Sequence, residues 1–407
     1  MPPRKPPHLP KSKRSFAGLL PDPPSLLGGM NVRRFLQRHW QKKPLLIRQA
    51  LPDFQGFLSP KDLMQLAGRG DVQSRLVLEK GGDHPWQLRT GPFKPAEFRR
   101  LPRTHWSLLV QDVDKSIPEA ADLLQHFSFI PSWRIDDLMI SMAPRHGSVG
   151  PHVDSYDVFL LQAHGHRRWQ IGARQHSAQD LIPDLDLRIL SRFKPGKEWV
   201  LSPGDMLYLP PGVAHHGVAL DECMTYSIGF RSPNQRELLS RFYEYLTEQA
   251  SDTLYYTDPD LALQRDPGEI TPRSLRQIQH MISASRFDQE QIERWFGSYI
   301  TEPGLWPPPL IPRRKLTPVA FLKRYASVGM LQRQQGVRFA HINRRGGALL
   351  FVNGQIFPMP ASPRFAAPLL SGRRELGHIE LKPHLKDRAF AELLCRLYNG
   401  GYLIFEN

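Results

Sequence analysis

His152-Val153-Asp154, followed far downstream by His215, constrains this chain more than any other feature of its sequence. On a β-strand, residues i and i+2 point to the same face, so His152 and Asp154 can grip one metal ion together. A His-x-Asp pair with one distant His is the two-His-one-carboxylate set of mononuclear non-haem iron(II) sites. Three protein ligands on one face of an octahedron leave the opposite face open to small molecules. The chain must therefore fold as a frame that brings strands remote in sequence to one point.

The flanking residues fit such a frame. Gly147-Ser148-Val149-Gly150-Pro151 is a turn that lets backbone come close to a buried centre. Ser202-Pro203-Gly204-Asp205 and Pro210-Pro211-Gly212 bracket the short run Met206–Leu209, and the histidine comes next. Turn, strand, turn, ligand is the order in which a double-stranded β-helix barrel delivers its last metal ligand. His216 competes with His215 for that role, and since neighbours on a strand face opposite ways only one of them points inward. Strand signals also cover Trp106–Val110, Leu138–Met142, Tyr156–Gln162, Arg168–Ile171 and Met224–Phe230. Short strands without a βαβ rhythm predict an antiparallel barrel.

Zinc also accepts two His and one Asp with a position left open. A second feature favours iron: Gly165-His166-Arg167-Arg168-Trp169 sets a cation on a predicted barrel strand. A keto-diacid that chelates iron through one end needs a fixed cation for its far carboxylate, and the planar guanidinium binds carboxylate through two parallel hydrogen bonds. Arg167 shares strand parity with Trp169, whose apolar bulk suits the interior, so Arg167 is favoured over Arg168.

Residues 1–29, rich in Pro, Lys and Arg, read as a flexible basic tail, and 30–233 as the barrel domain. Residues 234–302 have helical spacing over Arg236–Thr247 and Pro272–Ser285. Leu275, Ile278, Met281 and Ile282 form one apolar stripe there, for a second copy of the chain or for the barrel itself. After the breakers Glu302-Pro303-Gly304 and Pro307-Pro308-Pro309, residues 303–407 carry a helix at Pro318–Tyr325, a hairpin turning at Asn353-Gly354, and a closing helix at Asp387–Tyr398. That pattern is compatible with a winged helix. The fold class is thus α+β, a cupin-like β-helix barrel followed by helices and a winged-helix-like domain.

A net charge of +15 suggests residence near a polyanion, nucleic acid or a ribonucleoprotein. Two cysteines far apart exclude a disulfide framework and fit a reducing cytoplasm, and no apolar run approaches a membrane span.

Longer runs carry a resemblance. His39-Trp40-Gln41-Lys42-Lys43-Pro44-Leu45-Leu46-Ile47-Arg48, Trp133-Arg134-Ile135-Asp136-Asp137-Leu138-Met139, Gly150–Phe159, Tyr208–Gly212 and Tyr226–Arg231 resemble the bacterial JmjC-domain ribosomal oxygenases. The resemblance is dense from Met30 to Tyr299 and thinner beyond. It implies iron(II), 2-oxoglutarate and dioxygen as requirements, and C3-hydroxylation of an arginine in a large-subunit ribosomal protein. By motif position His152, Asp154 and His215 hold the metal, Arg167 clamps 2-oxoglutarate, and Ser141 is a further contact to it. Thr225 stands at another co-substrate contact, where the family's pattern has Asn. The resemblance also implies a helical dimerisation region and hence a homodimer. For a cationic substrate, Tyr156 and Asp157 are the acidic and aromatic residues expected at the mouth. Two other readings stay open: a histidine hydroxylase of a ribosomal protein, and a ribosome- or nucleic-acid-binding factor with an idle barrel. An intact ligand set beside Arg167 argues against idleness.

Overall fold

The computed structural model describes residues 26–80, 86–172, 180–183, 185, 187–263, 266–284, 288–304, 308–360, 363 and 365–405. Most of the expected tail lies outside these residues, but Leu26 and Leu27 are already buried in the first core, ahead of the boundary expected at Met30. The chain forms two compact units: the first runs to Ser232 and also takes in 308–311 and 333–336, and the second holds the other described residues from Pro233.

The first unit is two antiparallel sheets. Its strands are β1 (Leu45–Ile47), β2 (Ser74–Glu79), β3 (Trp86–Thr90), β4 (Trp106–Val110), β5 (Ile135–Ala143), β6 (His152–Val153), β7 (Val158–His164), β8 (Arg167–Gly172), β9 (Pro195–Leu201), β10 (Met206–Leu209), β11 (Ala214–Ala219) and β12 (Cys223–Phe230). The large sheet has the order β1-β10-β7-β12-β5-β4-β2-β3 and the small one β6-β11-β8-β9. The crossovers β1-β10-β7-β12-β5 in the large sheet and β6-β11-β8 in the small one give the double-stranded β-helix expected from the ligand spacing.

Period-two alternation decides what each face buries. On β12, Met224, Tyr226, Ile228 and Phe230 join a core roofed by helices α1 (Val32–Arg38), α2 (Pro60–Leu66) and α3 (Pro118–Gln125) through Phe35, Leu63 and Leu123. Phe159 and Leu161 of β7, with Met206 and Tyr208 of β10, belong to the same core. Their sequence neighbours Val158, Leu160, Leu207 and Leu209 face the other way and pack with Trp169, Ile171 and Leu201 of the small sheet. A strand buried on both faces reads as a continuous apolar run, as these do.

The second unit begins with α4 (Gln235–Glu248), α5 (Pro272–Ala284) and α6 (Gln289–Thr301). Leu275, Ile278 and Ile282 of α5 remain exposed. Further on come α7 (Pro318–Val328), β13 (Met330–Arg333), β14 (Phe339–Arg344), β15 (Gly347–Val352), β16 (Gln355–Pro360), α8 (Ala366–Gly372), β17 (Glu375–Gly377), α9 (Arg388–Asn399) and β18 (Leu403–Phe405). The expected hairpin is β15–β16, with Val352 paired to Gln355 and positive φ at Asn353 and Gly354, as a two-residue hairpin turn requires. The break expected at 302–303 does not divide this unit. Helix α6 packs on β14–β16: Gly297 leaves room for the Phe351 ring, Arg344 pairs with Glu290 and Glu293, and the Gly354 N–H donates to Thr301 Oγ1.

Candidate metal centre

Strands β6 and β11 lie side by side in the small sheet with His152 directly opposite His215. Their imidazole centroids are 4.2 Å apart. Asp154 follows two residues after His152, on the same face. One ligand atom from each of the three residues falls within 4.8 Å of the others. Asp154 oxygens stand 3.8 Å from His152 Nε2 and 3.6 Å from His215 Nε2, too far for hydrogen bonds and suited to sharing one central ion.

Each histidine uses its other nitrogen locally. His152 Nδ1 lies 3.0 Å from the Gly150 carbonyl and His215 Nδ1 2.9 Å from that of Val213. A carbonyl only accepts, so both Nδ1 atoms carry the proton and both Nε2 lone pairs are left for a metal. Burial, with His152 alongside, pushes His215 down to about 4, which keeps it in the neutral, ligating form at neutral pH. His216 faces the other way, and its Nε2 is 3.0 Å from Ser148 Oγ. Strand alternation has thereby chosen between the two histidines. The turn before β6 depends on glycine: Gly150 has φ +79°, and a Cβ there would press into Ile189.

The three residues line a cavity of about 470 Å³ between the sheets. Arg167 lines it too, 4 % exposed. Its Nη1 donates to Ser141 Oγ at 3.4 Å, while Nε and Nη2 are buried with no hydrogen-bond partner. A buried guanidinium with two idle donors, and no carboxylate paired to it among the described residues, is a costly arrangement without an anionic ligand. The donor set and this orphaned cation fit a divalent metal together with a carboxylate ligand.

Trp169 links the two parts. The Arg167 guanidinium sits 5.8 Å from its ring centroid, and its centroid is 5.8 Å from the His215 ring. Gly217 on β11 faces Trp169, and a Cβ there would meet the indole at 2.7 Å.

The other expected residues fall differently. Ser141 lines the cavity beside Arg167. Thr225 is paired with Ser141 across β5 and β12, but it does not line the cavity, and its hydroxyl donates to Gln162 Oε1 at 2.9 Å. Tyr156 stands in the cavity wall, 38 % exposed. Asp157, expected at the mouth, is a correction. It is fully buried on the opposite face, accepting from Tyr208 Oη at 2.6 Å and Gln41 Nε2 at 3.0 Å and pairing with Arg134 at 3.4 Å. Both residues precede β7, and Asp157 falls on the side of Phe159 and the large core, whereas Tyr156 falls on the side of Val158 and the cavity.

Besides the ligand Asp154, the acids that line the cavity are Asp136 and Asp137, at the start of β5. Asp136 pairs with Arg231 at 3.0 Å. Asp137 accepts from the Asp112 N–H at 3.1 Å, and burial, reinforced by Asp114, Asp112 and Asp136, pushes it up to about 8. Parity was the available signal: Asp137, Met139 and Ser141 alternate along one strand and share its inner face.

Residues 122–238 match the JmjC domain family and 281–404 the ROXA-like winged helix family. The chain is 36 % identical to the ribosomal protein uL16 3-hydroxylase of Escherichia coli, over 93 % of this chain and 98 % of that one. It is 42 % identical to a probable ribosomal oxygenase of Haemophilus influenzae, over 56 % and 54 % of the two chains. The crystal structure of E. coli YcfD superposes with a TM-score of 0.80 at 35 % identity, covering 93 % of this chain and 98 % of YcfD. The ribosomal oxygenase YcfD in complex with cobalt and 2-oxoglutarate gives 0.77 at 35 % identity, covering 93 % and 99 %.

Proposed function

The chain belongs to the JmjC-domain ribosomal oxygenases, and from that premise we propose that it is an iron(II)- and 2-oxoglutarate-dependent dioxygenase that hydroxylates C3 of an arginine in ribosomal protein uL16. The observation that carries this reading is the convergence of His152, Asp154 and His215 beside an arginine with two unpartnered buried donors. When bound, iron(II) with 2-oxoglutarate and dioxygen supplies the oxidising power for C–H hydroxylation.

The protein's own residues hold and exclude. His152, Asp154 and His215 would hold the metal, and the two Nδ1 hydrogen bonds fix the imidazole planes. Arg167 would receive the far carboxylate of 2-oxoglutarate with its idle Nε and Nη2 donors, and the Ser141 hydroxyl stands ready at the same end. Trp169, Leu160 and Val158 wall the cavity with apolar surface that keeps water out. A target guanidinium is favoured at the wall formed by Asp136 and Asp137, with Tyr156 beside it.

The exposed stripe of Leu275, Ile278 and Ile282 supports a homodimer that buries α5. The net charge of +15 supports a contact with ribosomal RNA, and no helix among the described residues is long and apolar enough to cross a membrane. We place the enzyme in the cytoplasm, with its substrate.

The test is conversion of 2-oxoglutarate to succinate with iron(II) and recombinant uL16, followed by intact mass. Wild type should add one oxygen atom to uL16, with fragmentation placing it on arginine. His152→Ala and Arg167→Ala should each lose at least about a hundredfold in kcat/KM, Arg167→Ala chiefly through the KM for 2-oxoglutarate. Oxygen found on histidine would replace the arginine reading. Equal turnover by wild type and His152→Ala would remove the enzymatic one.

A further inference from the structure

Arg75 lines the same cavity, and none of the roles above uses it. It lies on β2 and opens a cross-strand row on the inner face: Arg75 is paired with Leu109, Leu109 with Ser141, and Ser141 with Thr225. Arg75 thus occupies the outer end of the cavity, two strands from the Ser141 that Arg167 contacts. Its Nε is buried without a hydrogen-bond partner, and among the described residues no carboxylate forms an ion pair with it. Its charge acts on the hydroxyl of Tyr156, which places it near that residue of the wall. Beside it the cavity is lined by Gln111 of the segment after β4, over an apolar floor of Val77 and Leu109.

The other charges of the cavity leave little choice of ligand. On the reading above, one carboxylate of 2-oxoglutarate belongs to the metal and the other to Arg167. A cationic target side chain is drawn to Asp136 and Asp137 and repelled by Arg75. The group that remains is neutral, rich in acceptors and present in any protein substrate: the peptide main chain. A guanidinium offers five donors in a fixed fork and no acceptor, which suits carbonyl oxygens, and the Gln111 amide both donates and accepts, as a peptide unit does. An idle buried donor costs free energy in the free protein that a bound carbonyl recovers.

We propose that Arg75, with Gln111 beside it, is a main-chain anchor for the extended peptide segment that carries the target residue. The acid wall selects the side chain and the Arg75 end holds the backbone, so that together they supply affinity for the segment. This inference rests on the hydroxylase reading above.

The test is steady-state kinetics with recombinant uL16, with 2-oxoglutarate and uL16 varied separately. Arg75→Ala is expected to raise the KM for uL16 by about ten- to hundredfold. The kcat at saturating uL16 and the KM for 2-oxoglutarate should stay within about threefold, which also shows that the cavity has folded. Arg75→Lys, which keeps the charge and loses the fork, should fall between wild type and Arg75→Ala, and Gln111→Ala should raise the same KM by a smaller factor. An unchanged KM for uL16 in Arg75→Ala would overturn the proposal. So would an equal rise in the KM for 2-oxoglutarate, since that assigns Arg75 to the co-substrate end. A wild-type enzyme that leaves uL16 unmodified overturns the functional reading itself, and this inference with it.

Discussion

Asp137 takes its chemistry from its surroundings. Burial and three neighbouring aspartates push it up to about 8, so the free protein holds it protonated at neutral pH. A guanidinium favours the ionised form, so binding of a cationic target below about pH 8 must also release a proton, and affinity rises as pH climbs through that value. The KM for uL16 is expected to fall between about pH 7 and about pH 9. Asp137→Asn should raise that KM throughout and flatten its pH dependence, and a wild-type KM independent of pH would count against this role. Asp137 and Asp157 show what was legible at this scale. The i, i+2 spacing of His152 and Asp154 is a backbone property, and it led directly to the ligands. Asp157 was expected at the mouth because it follows the ligand pair closely, yet its parity turns it into the opposite core, where Tyr208 and Gln41 bind it. Asp137 shares the parity of Ser141 and reaches the cavity from one of the runs that carry the family resemblance, where no residue stood out as a site candidate.

At the scale of elements, the site depends on how β8 and β11 pack. Their register sets Gly217 against Trp169, and the indole lies between the Arg167 guanidinium and the His215 ring. A methyl group at 217 has no free space, since the Cβ would stand 2.7 Å from indole carbons. Gly217→Ala is therefore expected to lower stability by about 1–3 kcal/mol, seen as a lower Tm, and to raise the KM for 2-oxoglutarate as Trp169 displaces its neighbours. Trp169→Leu should restore part of the lost stability when combined with Gly217→Ala, because the smaller side chain leaves room for the methyl. Additive losses would show that the two residues do not share this contact. Strands with turn signals at both ends, such as β4 and β10, were legible residue for residue. Helix α6 fell within the region 234–302 grouped with the helices before it, because the Phe351 ring that covers Gly297 lies on a strand far along the chain.

For the whole molecule, the stripe on α5 carries the remaining prediction. Leu275, Ile278 and Ile282 recur at helical spacing and are 57 %, 42 % and 71 % exposed. A chain carrying Leu275→Asp, Ile278→Asp and Ile282→Asp is expected to be a monomer by light scattering at micromolar concentration, where the wild type has twice that mass. A monomeric wild type would remove the dimer. The sequence alone left this stripe with two possible partners, and among the described residues Leu275, Ile278 and Ile282 stay exposed. The sequence by itself determined the barrel strands, the paired ligands His152 and Asp154 and the inward parity of Arg167, because strand parity and turn chemistry act over a few neighbouring residues. Only the tertiary structure decided that His216 turns away, that Asp136 and Asp137 rather than Asp157 line the mouth, that Thr225 bonds to Gln162, and that Arg75 shares the cavity. Parity sorts such residues into two faces, and which face meets the cavity depends on the register between strands remote in the chain, set by which faces bury each other.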